Sequence, residues 1–280
     1  MNDVTNVFPY NEIEDRTFVD GNGNTQHCVF IPKFYVKNEQ TAEGLITRRV
    51  SNVKLSGYHC HPAFMTLGHE TEEGLLIQKY LSDTGLVSVS ADTSTYLRQT
   101  FDICNTIAQT LGMHIINVYE QHMLALLMLI ECGTADVVSA LGYLPTTANP
   151  IWRGINYVYG GVSAYYWIDG IKTDADEKIQ IYDNIGNGSW VDINWESFSG
   201  YPVILASKSG EGFDLQDLFI GRGSDAVNDI NQSTYPDKQN LNAVNCLAVI
   251  SGSAGDICGP FYLWHMMATD SSMLRMCKLI

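Results

Sequence analysis

The densest group of side chains able to bind a metal or move a proton is His59-Cys60-His61. On a strand the two histidines would share a face, two residues apart, with His69 close by in sequence, a start toward a zinc site. No carboxylate or fourth ligand is placed to complete it. The triplet therefore reads as a strand end before the Pro62 turn, with one histidine packed and one solvated. Asp174, Asp176 and Glu177 cluster as hard-cation ligands do. They lack the Asp-x-Asp-x-Asp-Gly loop spacing and read as a solvated turn. Neither a metal nor a cofactor is expected.

Nucleophilic chemistry is no better supported. Gly252-Ser253-Ala254-Gly255 has the wrong register for a nucleophile elbow. Cys246 or Cys258 could pair with His265 as nucleophile and base. With seven cysteines and seven histidines, however, chance pairings are easy. The chain carries no phosphate loop and no dinucleotide fingerprint. Nothing in these spacings demands an enzyme.

The aromatic segments point to contact rather than catalysis. Trp152 to Gly161, followed by Tyr165-Tyr166-Trp167, concentrates rings that combine large contact area with a polar tip. Alternation turns Ile155, Val158 and Trp167 inward, and core packing is the plainer reading of the set as a whole. Asn245 to Ser272 mixes Asn, Ser, Asp, Gly, Tyr, Trp, His and Met around short strands. Loops of this composition on a rigid scaffold have the physical design of a recognition surface.

Two helices must position these segments. One starts near Asp92, Thr93 or Ser94 and carries Leu97, Phe101, Cys104, Ile107, Ala108 and Leu111 at helical spacing up to Gly112. The other starts at Asn117, with Glu120 at capping-box spacing, and runs apolar on every side to Gly133. A helix apolar all round is buried all round, so it forms the centre of the domain. Strands are expected at Val29, Ile31 and Phe34-Tyr35-Val36, with Pro32 at an edge or bend. Later strands fall at 165–167, 178–182, 203–205, 247–250 and 261–264. Two early helices and late, loop-linked strands indicate an α+β domain. It spans residues 28–280, after a polar, turn-rich arm at 1–27.

Composition bounds the partners. A content of 45% hydrophobic and 17% charged residues in 280 suffices for a large core. Lys and Arg number 16 against 31 Asp and Glu, a formal charge of −15 that repels nucleic acid and anionic membranes alike. The longest apolar run, Met123 to Ile130, is far short of a bilayer span. The start lacks a basic n-region and an apolar h-region, so no export signal is expected. Seven scattered cysteines with no C-x-x-C pair read as reduced, buried thiols in a protein made in a reducing cytoplasm.

The order of motifs resembles a known family. The pieces are Ile31-Pro32-Lys33-Phe34-Tyr35, Gly57-Tyr58-His59-Cys60-His61-Pro62-Ala63-Phe64, and a central helix ending Ile130-Glu131-Cys132-Gly133. Trp152-Arg153-Gly154-Ile155-Asn156, Trp167-Ile168-Asp169-Gly170-Ile171 and Cys258-Gly259-Pro260-Phe261-Tyr262-Leu263 complete the set. Together they resemble the C-type-lectin-fold domains of bacteriophage tail and fibre proteins. Those domains are related in fold to formylglycine-generating enzymes and to the variable proteins of diversity-generating retroelements. The chain departs from the enzyme branch at Gly160 to Trp167, which lacks the Asn and Glu of the family turn. It also lacks the closely spaced C-terminal cysteine pair and the calcium-site motifs of sugar-binding relatives.

The resemblance implies a C-type-lectin-like α+β fold and a virion protein that binds a host surface protein or glycan. Its ligand face would include Tyr157, Tyr159, Trp264, His265, Asp270 and Ser271. It implies assembly in the host cytoplasm, contact with other virion proteins and a homo-oligomer, expected to be a trimer. A structural adaptor is the competing reading, and a formylglycine-generating type of enzyme the remotest one.

Overall fold

The computed structural model describes residues 1–40, 46–88, 96–133, 151–156, 164–173, 175, 179–183, 188–193, 202–204, 219–221, 246–252, 263–267 and 269–280. Strands β1 (Glu14–Val19), β2 (Thr25–Pro32), β3 (Tyr35–Gln40), β4 (Ile46–Ser51) and β5 (His59–Cys60) lead to a 3₁₀ turn at Pro62–Phe64. The hairpin of β6 (Met65–Thr66) and β7 (His69–Glu70) follows, then β8 (Gly74–Gln78) and β9 (Arg98–Gln99). Helix α1 (Phe101–Thr110) and β10 (His114–Ile115) precede α2 (Val118–Cys132). After it come β11 (Ile151–Trp152), β12 (Ile155–Asn156), β13 (Ala164–Thr173), β14 (Ile179–Tyr182) and β15 (Trp190–Ile193). The last strands are β16 (Pro202–Ile204), β17 (Phe219–Gly221), β18 (Cys246–Gly252), β19 (Leu263–Met267), β20 (Ser272–Met273) and β21 (Met276–Leu279).

The architecture is α+β, with mostly antiparallel sheets and two α-helices among the described residues. One sheet has the order β1-β2-β8-β21-β10. A second runs β15-β14-β13-β18-β19 and takes in β20 and β9 at the side of β13. Alternation along β2 sends Val29 and Ile31 to the same core as Leu75, Ile77 and Cys277, around α2. Cys28, Phe30 and Leu76 face the other way, into a small cluster with Phe18 and Ile280.

Helix α2 is the centre of the larger core. Asn117 Oδ1 accepts the N–H groups of Tyr119 (2.9 Å) and Glu120 (3.0 Å), and Glu120 Oε2 accepts the Asn117 N–H (2.8 Å). Gly133 ends the helix in the left-handed region at φ +67°. Met123, Leu124, Leu126, Leu127 and Met128 are all buried. Each contributes roughly 2 kcal/mol by leaving water.

Two expectations change. The first 27 residues, expected as an arm, contribute to the fold. Val4 and Tyr10 are buried, and β1 pairs with β2 along its whole length. Asn2 closes the end of α2, donating to the carbonyls of Glu131 and Ile130, both at 2.7 Å. The polar composition that suggested an arm belongs to an edge strand whose outer face meets water. Helix α1 starts at Phe101, because Arg98 and Gln99 are paired with Met273 and Ser272 in a ladder and Gln99 O accepts the Trp167 indole (2.9 Å). Residues 92–94 lie outside the described residues.

Candidate functional site

A cavity of about 270 Å³ opens at the first turn of α2, lined by Thr66, His114, Asn117, Tyr119, Asp169, Gly170, Tyr182 and Leu279. Three local devices build it. The capping box fixes Asn117 and Glu120. A bulge interrupts the β13–β18 ladder between Ile168 and Lys172, and Gly170 takes φ +78° within it. The bulge swings Asp169 out of that ladder to bridge Asn117 in parallel, its N–H donating to Ile116 O at 3.0 Å. The β6–β7 hairpin supplies Thr66, and the next residue, Leu67, is held at φ +46° while half exposed. A leucine in the left-handed region is strained, and such strain clusters at functional sites.

The site's electrostatics centre on one buried carboxylate. His114 Nε2 lies 2.5 Å from Glu120 Oε1, and Glu120 is wholly buried. Burial alone would lower the His114 pKa, but Glu120, with a smaller contribution from Asp169, holds it above the ordinary histidine value. Burial raises Asp169 above the usual carboxylate range, against the Gly170 N–H (2.7 Å) and His114, which favour its charge. Behind Glu120, the Cys277 thiol is kept protonated by burial first and by Glu120 second. The lining thus offers proton-bearing and hydrogen-bonding groups, while the nearby thiol is no nucleophile.

The chain matches no family model, no curated protein and no solved structure.

Of the six residues singled out for a ligand face, four fall within the described residues. Tyr157 and Tyr159 lie outside the described residues. Trp264 and His265 sit on β19, opposite Val249 and Ala248 of β18. Asp270 and Ser271 are exposed on the turn that follows. There Asp270 donates its N–H to Met267 O (2.9 Å) and accepts the Met267 N–H at Oδ2 (3.0 Å). Of the aromatic run, Trp152, Tyr166 and Trp167 are buried, as is Ile155, and Val158 lies outside the described residues. Trp152 and Arg153 share one acceptor: the indole meets Glu131 Oε2 at 2.7 Å and the guanidinium spans both carboxylate oxygens at 2.9 and 2.7 Å. Asp174, Asp176 and Glu177 lie outside the described residues.

The histidine triplet resolves differently. His69 is exposed, His59 half-buried and His61 fully buried. His61 Nδ1 accepts the Ala63 N–H (3.1 Å), so its proton sits on Nε2 and points at Nδ1 of His122, 3.3 Å away. The two rings stack at 5.5 Å and 9°. Burial first, then neighbouring positive charge, pushes His61 down to about 3 and His122 well below the ordinary value. Among the described residues no three His, Cys, Asp or Glu side chains form a metal-holding group.

In the sequence the α2 cap is visible as a helix start and nothing more. His114 carries no motif and Asp169 pairs with it only in space. The Asp169-Gly170 step inside a β-prone run was the available signal, since glycine within a strand marks a bulge.

Proposed function

We propose that this chain is a non-enzymatic binding domain of a bacteriophage virion, a tail or head fibre protein with a C-type-lectin-like fold. It binds a host surface protein or glycan through the loop face near its C-terminus. The observation that carries the reading is the β19–β20 turn. Met267 is 59% exposed, and Thr269, Asp270 and Ser271 are exposed beside it. The next residues, Ser272 to Cys277, are buried. An exposed methionine and polar groups are therefore mounted on a rigid frame and locked by the Asp270 carboxylate, the arrangement expected of a recognition turn. Mostly antiparallel sheets with a buried helix at the core are compatible with the lectin-like resemblance. A homo-oligomer, a trimer by that resemblance, would turn weak single contacts into firm attachment.

The test places a charge on this turn where packing is not disturbed. The chain carrying Met267→Ala and Ser271→Arg should bind host cells at least about tenfold more weakly, with an unchanged melting temperature. Full attachment by this variant would refute the proposed face. Labelled particles provide the second arm: signal at a distal tip supports a receptor binder, and signal at an internal joint supports an adaptor instead.

A further inference from the structure

We propose that the cavity at the first turn of α2 binds a neutral polyhydroxylated molecule of single-ring size. The site shares no lining residue with the β19–β20 turn, and the inference stands whatever that turn contacts.

Charge and hydrogen bonding at the lining disfavour anions, cations and apolar ligands in turn. Helix N-termini attract anions through their free N–H groups. Here those of Tyr119 and Glu120 are already taken by Asn117, and the Asn117 N–H by Glu120. The carboxylates of Glu120 and Asp169 repel an anion further. A cation meets the His114 ring, whose pKa the Glu120 contact of 2.5 Å holds above the ordinary histidine value. An apolar ligand would strand the polar atoms of the lining, a loss larger than the gain from a few apolar contacts.

What remains matches hydroxyl groups. Asn117 Oδ1 is committed to the helix, leaving its Nδ2 amide as a donor. His114 Nε2 is committed to Glu120, leaving Nδ1, with which a hydroxyl can pair whether that nitrogen donates or accepts. Asp169 Oδ1 is committed to the Gly170 N–H, leaving Oδ2 as an acceptor. These three atoms have no hydrogen-bond partner among the described residues. The parallel backbone bridge between Asn117 and Asp169 brings a residue with an amide donor and one with a carboxylate acceptor to the same cavity wall. A hydroxyl both donates and accepts, so vicinal hydroxyls satisfy such a pair where a carbonyl or an amine satisfies half of it. Tyr119 and Tyr182 complete the wall, with the Tyr119 hydroxyl fixed to Tyr182 O at 2.9 Å. At about 270 Å³ the cavity sits at the small end of ligand pockets, which begin near roughly 300 Å³, and suits one ring rather than a chain of them.

The experiment titrates the full chain with D-glucose, D-galactose and myo-inositol, and in parallel with inorganic phosphate and ethylammonium. Calorimetry gives the affinity, and the ring ¹⁵N resonances of His114 report the site. At least one cyclic polyol should bind, shift His114, and bind about tenfold more weakly to Asp169→Ala. Should that variant fail to fold, Thr66→Arg replaces an exposed lining residue and obstructs the cavity from the hairpin side. It should abolish the same shift. Absence of binding by all three polyols would overturn the proposal. So would polyol binding unaffected by the substitution that folds, or a His114 shift produced by phosphate or ethylammonium instead.

Discussion

Acid should destabilise this protein through the His61–His122 pair, by an amount that can be worked out. Both imidazoles are neutral in the folded chain, His61 near pKa 3 and His122 well below the ordinary value. Unfolded, each takes up a proton below a pH of about 6.5. The unfolded state therefore binds more protons over the window from about 6.5 down toward 3, and stability falls with pH throughout it. Between pH 7.5 and 5.5 each histidine costs about 1.4 kcal/mol, and the pair about 2.7. His114 acts in the opposite sense. Its raised value adds stability at low pH that is lost as pH rises through its folded pKa. A difference measurement isolates the pair. His122→Phe keeps a ring against His61 and removes one titrating group, so urea unfolding at the two pH values should show a loss smaller by about 1.4 kcal/mol than in the parent chain. An identical pH-dependent loss in both chains would refute the argument, because one of the two neutral imidazoles would then contribute nothing.

Two further outcomes follow from backbone geometry. A Cβ on Gly74 would lie 2.2 Å from Ile31 O, inside the β2–β8 ladder, so Gly74→Ala should destabilise by roughly 3 kcal/mol, read as a lower urea midpoint at constant slope. Leu67 adopts a left-handed conformation in the β6–β7 turn while half exposed, so Leu67→Asn should raise stability by about 0.5–1 kcal/mol in thermal melting. A fall instead would mean that the leucine side chain, near Gly188, stabilises more than its backbone strain costs.

How much was legible in the residues depended on the range of the forces involved. Helix α2 was readable from end to end. Its cap, its acidic third residue, its unbroken apolar run and its glycine stop all act within a few positions, and the structure places Asn117, Glu120 and Gly133 in those roles. The strand runs at 165–167, 178–182, 203–205 and 247–250 each fall within or overlap a strand, because β-branched and aromatic residues suit a pleated surface wherever it forms. The start of α1 was not readable: whether Arg98 and Gln99 continue a helix or join a ladder depends on Ser272 and Met273, far away along the chain.

The candidate site divides along the same line. Local sequence determined that Asn117 caps a helix and that Asp169-Gly170 interrupts a strand. Only the tertiary structure brought the two together, set His114 against Glu120 and enclosed the space between them. Likewise the His59-Cys60-His61 triplet, the most conspicuous chemistry in the sequence, became a buried neutral pair once α2 placed His122 against His61. Helix caps and periodicities are decided by neighbours along the chain. Cavities and charge pairs arise where distant segments meet, and the closing of long loops that unites them leaves no local signature.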